Sequence, residues 1–511
     1  MMNKIIIFCT LHFILCSTCL AANKTINSGQ SNSIWNNTLS SGLSAGDTVF
    51  MEDGTYNDFQ VQFKGNGTMN NPIILKARNY GKVKIEGQIE FLMSGNYLVV
   101  DGLHFRNGYA KNSNPNTTAD LFCFRTNSTT FANNCRLTNC VFDSLNNPNK
   151  SPTNDNQTER WMMIYGKHNR IDHCYFGYKN VGGVMIMNDI RESGSQEGNN
   201  LIDHNFFGYR PKYTPGNGAE TIRPGDSERS QLSAKCTIRE NIFYQCDGEI
   251  EVISLKSCDN VVENNLFYES AGQVVCRHGH RNTIVNNVFI GNNKSNTGGV
   301  RVINSDHKIY NNFFQDLKGT SSRSALCVMT AFDDEYPLNS YYQVKNVDIA
   351  FNTFINCSSI EMATVSSYEG SNGNMLPINT KFWNNIIFNE SLTAGYIDKE
   401  NTSGIDFKGN VFKIKNSATW AKVGFEKKEI DIITDEKGIK HIKSPELGYC
   451  MPILFAYKGL DYITTDLTGL FRNNFQEVGA VNIENYKQRY NIPHLNEVGV
   501  NWYVYPKPNI E

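Results

Sequence analysis

Apolar and polar positions along the chain fall into short alternating runs. Stretches of three to six residues rich in Val, Ile, Phe and Tyr are separated by Gly, Asn, Asp and Ser. This favours strands and tight turns and offers no amphipathic helix of useful length. A phrase recurs within the pattern: Asn, one or two apolar residues, then Phe. It occurs as Asn139-Cys-Val-Phe142, Asn205-Phe-Phe207, Asn241-Ile-Phe243, Asn265-Leu-Phe267, Asn287-Val-Phe289, Asn312-Phe-Phe314, Asn352-Thr-Phe354, Asn385-Ile-Ile-Phe388 and Asn410-Val-Phe412. Asp172-His-Cys-Tyr-Phe176 is a variant with Cys or His in the Asn slot. From Phe243 to Phe314 the markers are 24, 22 and 25 residues apart, and Phe388 to Phe412 is again 24. Such a period denotes a solenoid. Leucine ladders and paired helices are missing from the repeat, so each period is read as one coil of about three strands. The expected fold is all-β, a right-handed parallel β-helix with stacked Phe inside and a ladder of Asn side chains along one turn. Spacings of 31 to 40 between the other markers predict loops bulging from the coil, such as 143–159 and 333–342.

The coils are expected over about 46–415, beginning at Gly46-Asp-Thr-Val-Phe-Met-Glu-Asp-Gly-Thr-Tyr56. Residues 28–43 would form a capping helix over the open core. The segment after 415 would pack along the coils, so that 23–511 makes a single domain. Residues 1–22 read as a secretory signal peptide: Lys4, a short apolar run interrupted by polar residues, then Ala21 and Ala22. Export to the periplasm or the medium follows, with lipid attachment at Cys16 or Cys19 as the alternative. No later stretch reaches membrane-spanning length. The 48 basic and 50 acidic residues leave a net charge of -2, which gives no reason to expect a nucleic-acid partner. Of the 14 cysteines, those such as Cys140, Cys174, Cys246 and Cys357 lie in apolar strand-like runs and read as buried thiols, with one or two disulfides as the alternative that export allows.

Residues one period apart are neighbours about 4.8 Å apart on adjacent coils. Lys256, Arg277 and Arg301 lie 11, 12 and 13 residues before Phe267, Phe289 and Phe314. The three cations are therefore expected to stack on one side of three successive coils. Two readings are open: a solvated basic stripe, or a groove for a polyanion. Beside them, strand alternation places Glu249 and Glu251 on one face. Either they pair with Lys256 and Arg277, or a cation sits between them. With Asn217 from the preceding coil they form a hard-oxygen set suited to Ca²⁺, to which Glu220 could add.

The stretches Pro215-Gly-Asn-Gly-Ala-Glu-Thr-Ile-Arg223, Gly248-Glu-Ile-Glu-Val-Ile-Ser-Leu-Lys-Ser257 and Arg277-His-Gly279 resemble polysaccharide lyase family six, which holds alginate lyases and chondroitinase B, the dermatan sulfate lyase. The resemblance runs from Asp53-Gly-Thr-Tyr56 to Val478-Gly-Ala480. It implies a parallel β-helix, Asn217, Glu249 and Glu251 as calcium ligands, Lys256 as catalytic base and Arg277 as catalytic acid of a β-elimination. Tyr209-Arg-Pro211 and Gly298-Gly-Val-Arg-Val-Ile-Asn304 look more like the alginate-lyase branch. There Arg301 would hold a substrate carboxylate, with His278 and Arg223 as further groove contacts. The expected partner is thus an acidic polysaccharide, alginate first and dermatan sulfate second. A non-catalytic glycan-binding β-helix and a polygalacturonase-like hydrolase are the rival classes; the hydrolase needs converging acids without a cation stripe.

Overall fold

In the computed structural model the described residues are all except 1–20, 112–117, 151–152, 154–157, 334–336, 369, 416–418, 444–458, 473–477, 482–489 and 509–511. Most of the expected leader and Cys450 therefore lie outside them, as do parts of the two expected loops.

The chain winds into a parallel β-helix whose coils present three faces. The first is a 14-stranded parallel sheet that includes Thr237–Arg239, Val261–Glu263 and Thr283–Val285. The second contains Ile242–Tyr244, Leu266–Tyr268 and Val288–Ile290, and the third Glu251–Lys256, Gln273–His278 and Val300–Val302. Each strand pairs in parallel with its counterpart one coil away, so identical inward positions superpose. Phe243, Phe267, Phe289 and Phe314 are mutual register partners. Their rings stack at 4.6, 4.5 and 4.9 Å, and the column continues on both sides from Phe105 to Phe354. At the N-terminal end Asn32–Ser40 is a helix whose Trp35 and Leu39 cover the core, as expected for the cap. Trp35 packs at 5.3 Å on Tyr56 and 5.1 Å on Phe59.

The Asn ladder is present and fully buried. Asn287 donates to Asn312 Oδ1 at 3.1 Å and to the carbonyls of Val262 and Val285, and Asn265 donates to Asn287 in turn. Each Asn thus satisfies backbone groups of two coils at a turn that would otherwise bury them unpaired. The residue before each ladder position has positive φ, as at Asn264, Asn286 and Asn311. Two marker assignments are corrected. Asn139 is one of these positive-φ residues and points out to Asp101; Cys140 takes the ladder place, its amide donating to Cys174 Sγ as the Cys174 amide donates to Asn205 Oδ1. At Asn385 the inward residue is Ile387, paired with Phe354 and Phe412, while Phe388 lies in the outer cluster. A second ladder, Cys135-Asn169-Asn200 and Cys236-Asn260-Asn282-His307, runs along the turn before the first face. All ten described cysteines are buried free thiols.

The outside of the second face is covered. Val141, Tyr175, Phe206, Ile242, Leu266, Val288 and Phe313 bury against Leu467, Val478, Tyr490, Val498 and Tyr505 of the C-terminal segment. No helix among the described residues is long and apolar enough to cross a membrane. Around Lys256 it is the outside of the third face that carries exposed chemistry.

Candidate active site on the third face

On this face Ile253, Leu255, Val274, Cys276, Val300 and Val302 point into the core. Alternation therefore turns Ser254, Lys256, Val275, Arg277 and Arg301 outward. The three cations share the face but do not form the straight column that counting from Phe predicts. Arg301 is in register with Val275, and Val275 with Ser254, whereas Lys256 pairs with His278 across a bulge that displaces Arg277.

They converge on carboxylates. Arg301 Nη2 donates to Glu251 Oε1 at 2.5 Å, and Arg277 Nε is 3.5 Å from the same oxygen. The Ser254 hydroxyl donates to the other oxygen of Glu251. Burial alone would push the Glu251 carboxyl up, but Arg301, Lys256 and Arg277 outweigh it and hold it below its usual range. Lys256 Nζ donates to Glu220 Oε1 at 3.1 Å, an oxygen it shares with Arg223 Nη1 at 3.1 Å. Glu220 is also held low against its burial, by Arg223 and Lys256. Its backbone carbonyl accepts from the fully buried Arg210 at 2.7 Å.

Glu249 differs. Its carboxyl is pushed up to about 9, first by burial and then by Glu220 and Glu251 beside it. Glu249 Oε1 and Glu220 Oε2 are buried without a hydrogen-bond partner. Two buried acidic oxygens without a partner are the kind of acceptor a hard cation takes. Asn217 stands at an exposed turn between Gly216 and Gly218, whose φ values are +79° and +82°. Among the described residues, the acidic or His group whose ligand atoms lie within 4.8 Å of one another is a different one, Asp203, His204 and Glu240. There Asp203 is already paired with Arg170 at 2.8 and 2.6 Å and with His204 at 3.0 Å.

Arg277 is gripped from outside the coil. Its guanidinium donates to the carbonyls of Ser340 and Asn339, each at 3.2 Å, and lies 4.6 Å from the centre of the Tyr341 ring. His278 is buried, and burial together with Arg277, Lys256 and Arg301 drives its imidazole well below the ordinary range, so it is neutral. On the N-terminal side of Lys256 opens a cleft of about 330 Å³, lined by Arg160, Met187, Arg191, Arg223, Asp226, Ser227, Glu228 and Lys256. Arg160, Arg191, Arg210 and Tyr341 are the site residues that sequence reasoning missed. All but Tyr341 belong to the long-looped coils, where the 24-residue count gives no register, and Tyr341 lies in an excursion from the coil.

The arrangement places an amine, two guanidinium groups and a neutral imidazole over a buried acidic cluster, at the edge of an open cleft. The chondroitinase B family model matches residues 31–448. Among solved structures, the polysaccharide lyase family six (PL6) alginate lyase AlyGC is 32% identical with a TM-score of 0.79, covering 95% of this chain and 60% of that one. The present chain thus spans about three-fifths of AlyGC. A mannuronic-acid-specific family six lyase from the human gut microbiota is 35% identical with a TM-score of 0.72, covering 80% of this chain and 91% of that one. The family six lyase Pedsa3628 from Pseudopedobacter saltans shares the fold at 23% identity, covering 94% and 100%, with a TM-score of 0.66. A search of the curated proteins finds no match. With the family model spanning most of the coils and two relatives above 30% identity, this chain belongs to the chondroitinase B family, polysaccharide lyase family six.

Proposed function

We propose that this chain is a polysaccharide lyase that cleaves alginate by β-elimination, with Lys256 as base and Ca²⁺ as cofactor. The observation that carries the reading is the convergence of Lys256, Arg277 and Arg301 over Glu220, Glu249 and Glu251 beside an open cleft. Two similar structures, AlyGC and the gut enzyme, are described as an alginate lyase and as mannuronic-acid-specific. The same family model carries the chondroitinase B name, which keeps dermatan sulfate as the second substrate.

In the reaction the C5 proton of a uronate passes to the Lys256 amine. The C5–H electron pair becomes the C4=C5 double bond, and the C4–O bond breaks with its pair on the leaving oxygen. That C5 proton is poorly acidic while the adjacent carboxylate keeps its charge. Glu249, Glu251 and Asn217 are the residues to hold Ca²⁺, with Glu220 as a further candidate. The unused oxygens of Glu249 and Glu220 fit such an ion. When bound, calcium supplies the positive charge that neutralises the substrate carboxylate and steadies the developing enolate.

Arg301 orients the carboxylate of the uronate that is cleaved, Arg223 contacts the sugar beside it, and neutral His278 borders the groove. The acceptors around Arg277 are carbonyls and a carboxylate. A guanidinium is a donor only, so Arg277 donates a hydrogen bond to the leaving oxygen and solvent delivers the proton. Residues 1–22 are read as an export leader, which would place the enzyme in the periplasm or medium with its polymer.

The test is ultraviolet detection of unsaturated uronate from alginate and from dermatan sulfate, each with and without a calcium chelator. Chelator-sensitive product from alginate supports the reading. Product from dermatan sulfate alone replaces the substrate, and reducing ends without unsaturation refute elimination.

A further inference from the structure

The cleft beside Lys256 is not a plain cationic patch. Arg160 donates through Nε and Nη2 to Asp120 at 2.6 and 2.9 Å, Arg191 pairs with Asp189, and Arg223 Nη1 bonds Glu220. Asp226 and Glu228 add two more acids to the lining. Net charge therefore does not select the occupant; the direction of the remaining donors does.

Those donors converge on a poor acceptor. Arg223 Nη2 is 3.2 Å from Met187 Sδ, and Arg160 Nη1 is 4.0 Å from the same sulfur. Met187 and Arg223 are register partners on adjacent coils, so the spacing is set by the sheet itself. The side chains of Arg160 and Arg223 are only 18% and 19% exposed, and Arg223 Nε is buried without a partner. A thioether satisfies a guanidinium N–H weakly, whereas a carboxylate accepts from two guanidinium groups strongly. Also in the lining, Asp226 accepts from the amide of Arg229 at 2.9 Å and caps a short turn. Its other oxygen stands 3.8 Å from Arg191 Nε, beyond hydrogen-bond distance. Glu228 is 80% exposed at the rim.

The lining thus offers both cationic donors and anionic acceptors. A hexuronate matches both, with one carboxylate and adjacent ring hydroxyls. A sulfated sugar does not: sulfation removes a hydroxyl donor and sets a second negative charge against Asp226 and Glu228. We propose that this cleft is a subsite for an unsulfated uronate next to the one that is cleaved. Arg160 and Arg223 donate to its carboxylate over Met187, and Asp226 accepts its hydroxyls and excludes sulfate. The inference rests on the lyase reading for its substrate class, and it adds Arg160 and Asp226 as specificity residues.

The test reads binding, so it does not depend on turnover. A mannuronate trisaccharide and its sulfated counterpart are titrated calorimetrically, with calcium, into the full-length chain carrying Lys256→Ala, alone and with Arg160→Gln or Asp226→Asn. Arg160→Gln is expected to weaken the unsulfated ligand about tenfold, the worth of one charge-assisted hydrogen bond. Asp226→Asn should narrow the preference for the unsulfated over the sulfated ligand by a similar factor. Because Arg160→Gln strands Asp120, the double variant Asp120→Asn/Arg160→Gln is measured alongside and should show the same loss. Unchanged affinity in both Arg160 variants, or an unchanged preference in Asp226→Asn, overturns the subsite. If the wild-type chain binds as described yet releases no unsaturated product, the lyase reading fails and the subsite stands.

Discussion

Arg301 donates to Glu251 at 2.5 Å although the two residues are 50 positions apart in the chain. They lie on coils separated by the one that carries Arg277. Their side chains are 5% and 10% exposed, so the pair is a buried ion pair and its loss strands a charge. Arg301→Ala should destabilise the protein by about 3–5 kcal/mol, read as a fall in the thermal midpoint without added calcium. The double variant Arg301→Met/Glu251→Gln, which removes both charges of the pair, should recover part of that loss. A single variant as stable as the parent would mean that the pair is solvated.

Lys256→Ala should remove at least 10²–10⁴-fold of the elimination rate, the usual span for a positioned base. Lys256→Arg keeps the charge next to Glu220 but not a removable proton site, and it is expected to be equally inactive. Activity retained in Lys256→Arg would move the base elsewhere on the face.

Glu249 sits beside Glu220 and Glu251 with Oε1 unpartnered. Glu249→Gln removes one carboxylate from this crowd, so the calcium-free protein should gain thermal stability. The parent should be stabilised by added calcium as a ligand of the folded state, and the variant should lose most of that shift. Opposite signs with and without calcium are the signature. An equal calcium shift in parent and variant would exclude Glu249 as a ligand.

The sequence made the coils legible because one period brings the same residue type back to the same place. Its reading stumbled where the period was counted from Phe and not from the ladder residue. Cys140, Cys174, Asn205 and Asn385 each stand two residues before an inward residue, Phe142, Phe176, Phe207 and Ile387. Counting from the ladder would have put Phe388 outside and Cys140 inside. The second ladder was also within reach, since Asn260, Asn282 and His307 each precede Asn265, Asn287 and Asn312 by five. At the site, the shared face of Lys256, Arg277 and Arg301 was legible from spacing, but the bulge next to His278 was not, because a bulge leaves no mark on the apolar alternation of Val274 and Cys276. Arg160 and Glu220 acquire their partners only through long-looped coils, where sequence distance no longer measures spatial distance.

His307 gives the clearest dependence on pH. It ends the described run of the second ladder, where its Nδ1 accepts from the Asn282 amide at 3.1 Å and its Nε2 donates to the Ile303 carbonyl at 2.8 Å. Only the neutral ring can do both. Burial drives its imidazole from the ordinary 6.5 down to about 4. Between those values the unfolded chain takes up a proton that the folded chain refuses, so stability is full above pH 6.5, falls as the pH drops and levels off below about 4. A depression of this size is worth roughly 3 kcal/mol. His307→Asn places at this rung the residue type already used at Asn260 and Asn282, and its side-chain oxygen can accept from the same amide. The variant should therefore match the parent within about 1 kcal/mol at pH 7 and exceed it by roughly 3 kcal/mol at pH 4. Thermal midpoints taken for both proteins from pH 7 to pH 4 check this, since the other buried histidines cancel in the difference. Parallel curves would show that His307 is already protonated in the folded coil and that the ladder does not end as its hydrogen bonds imply.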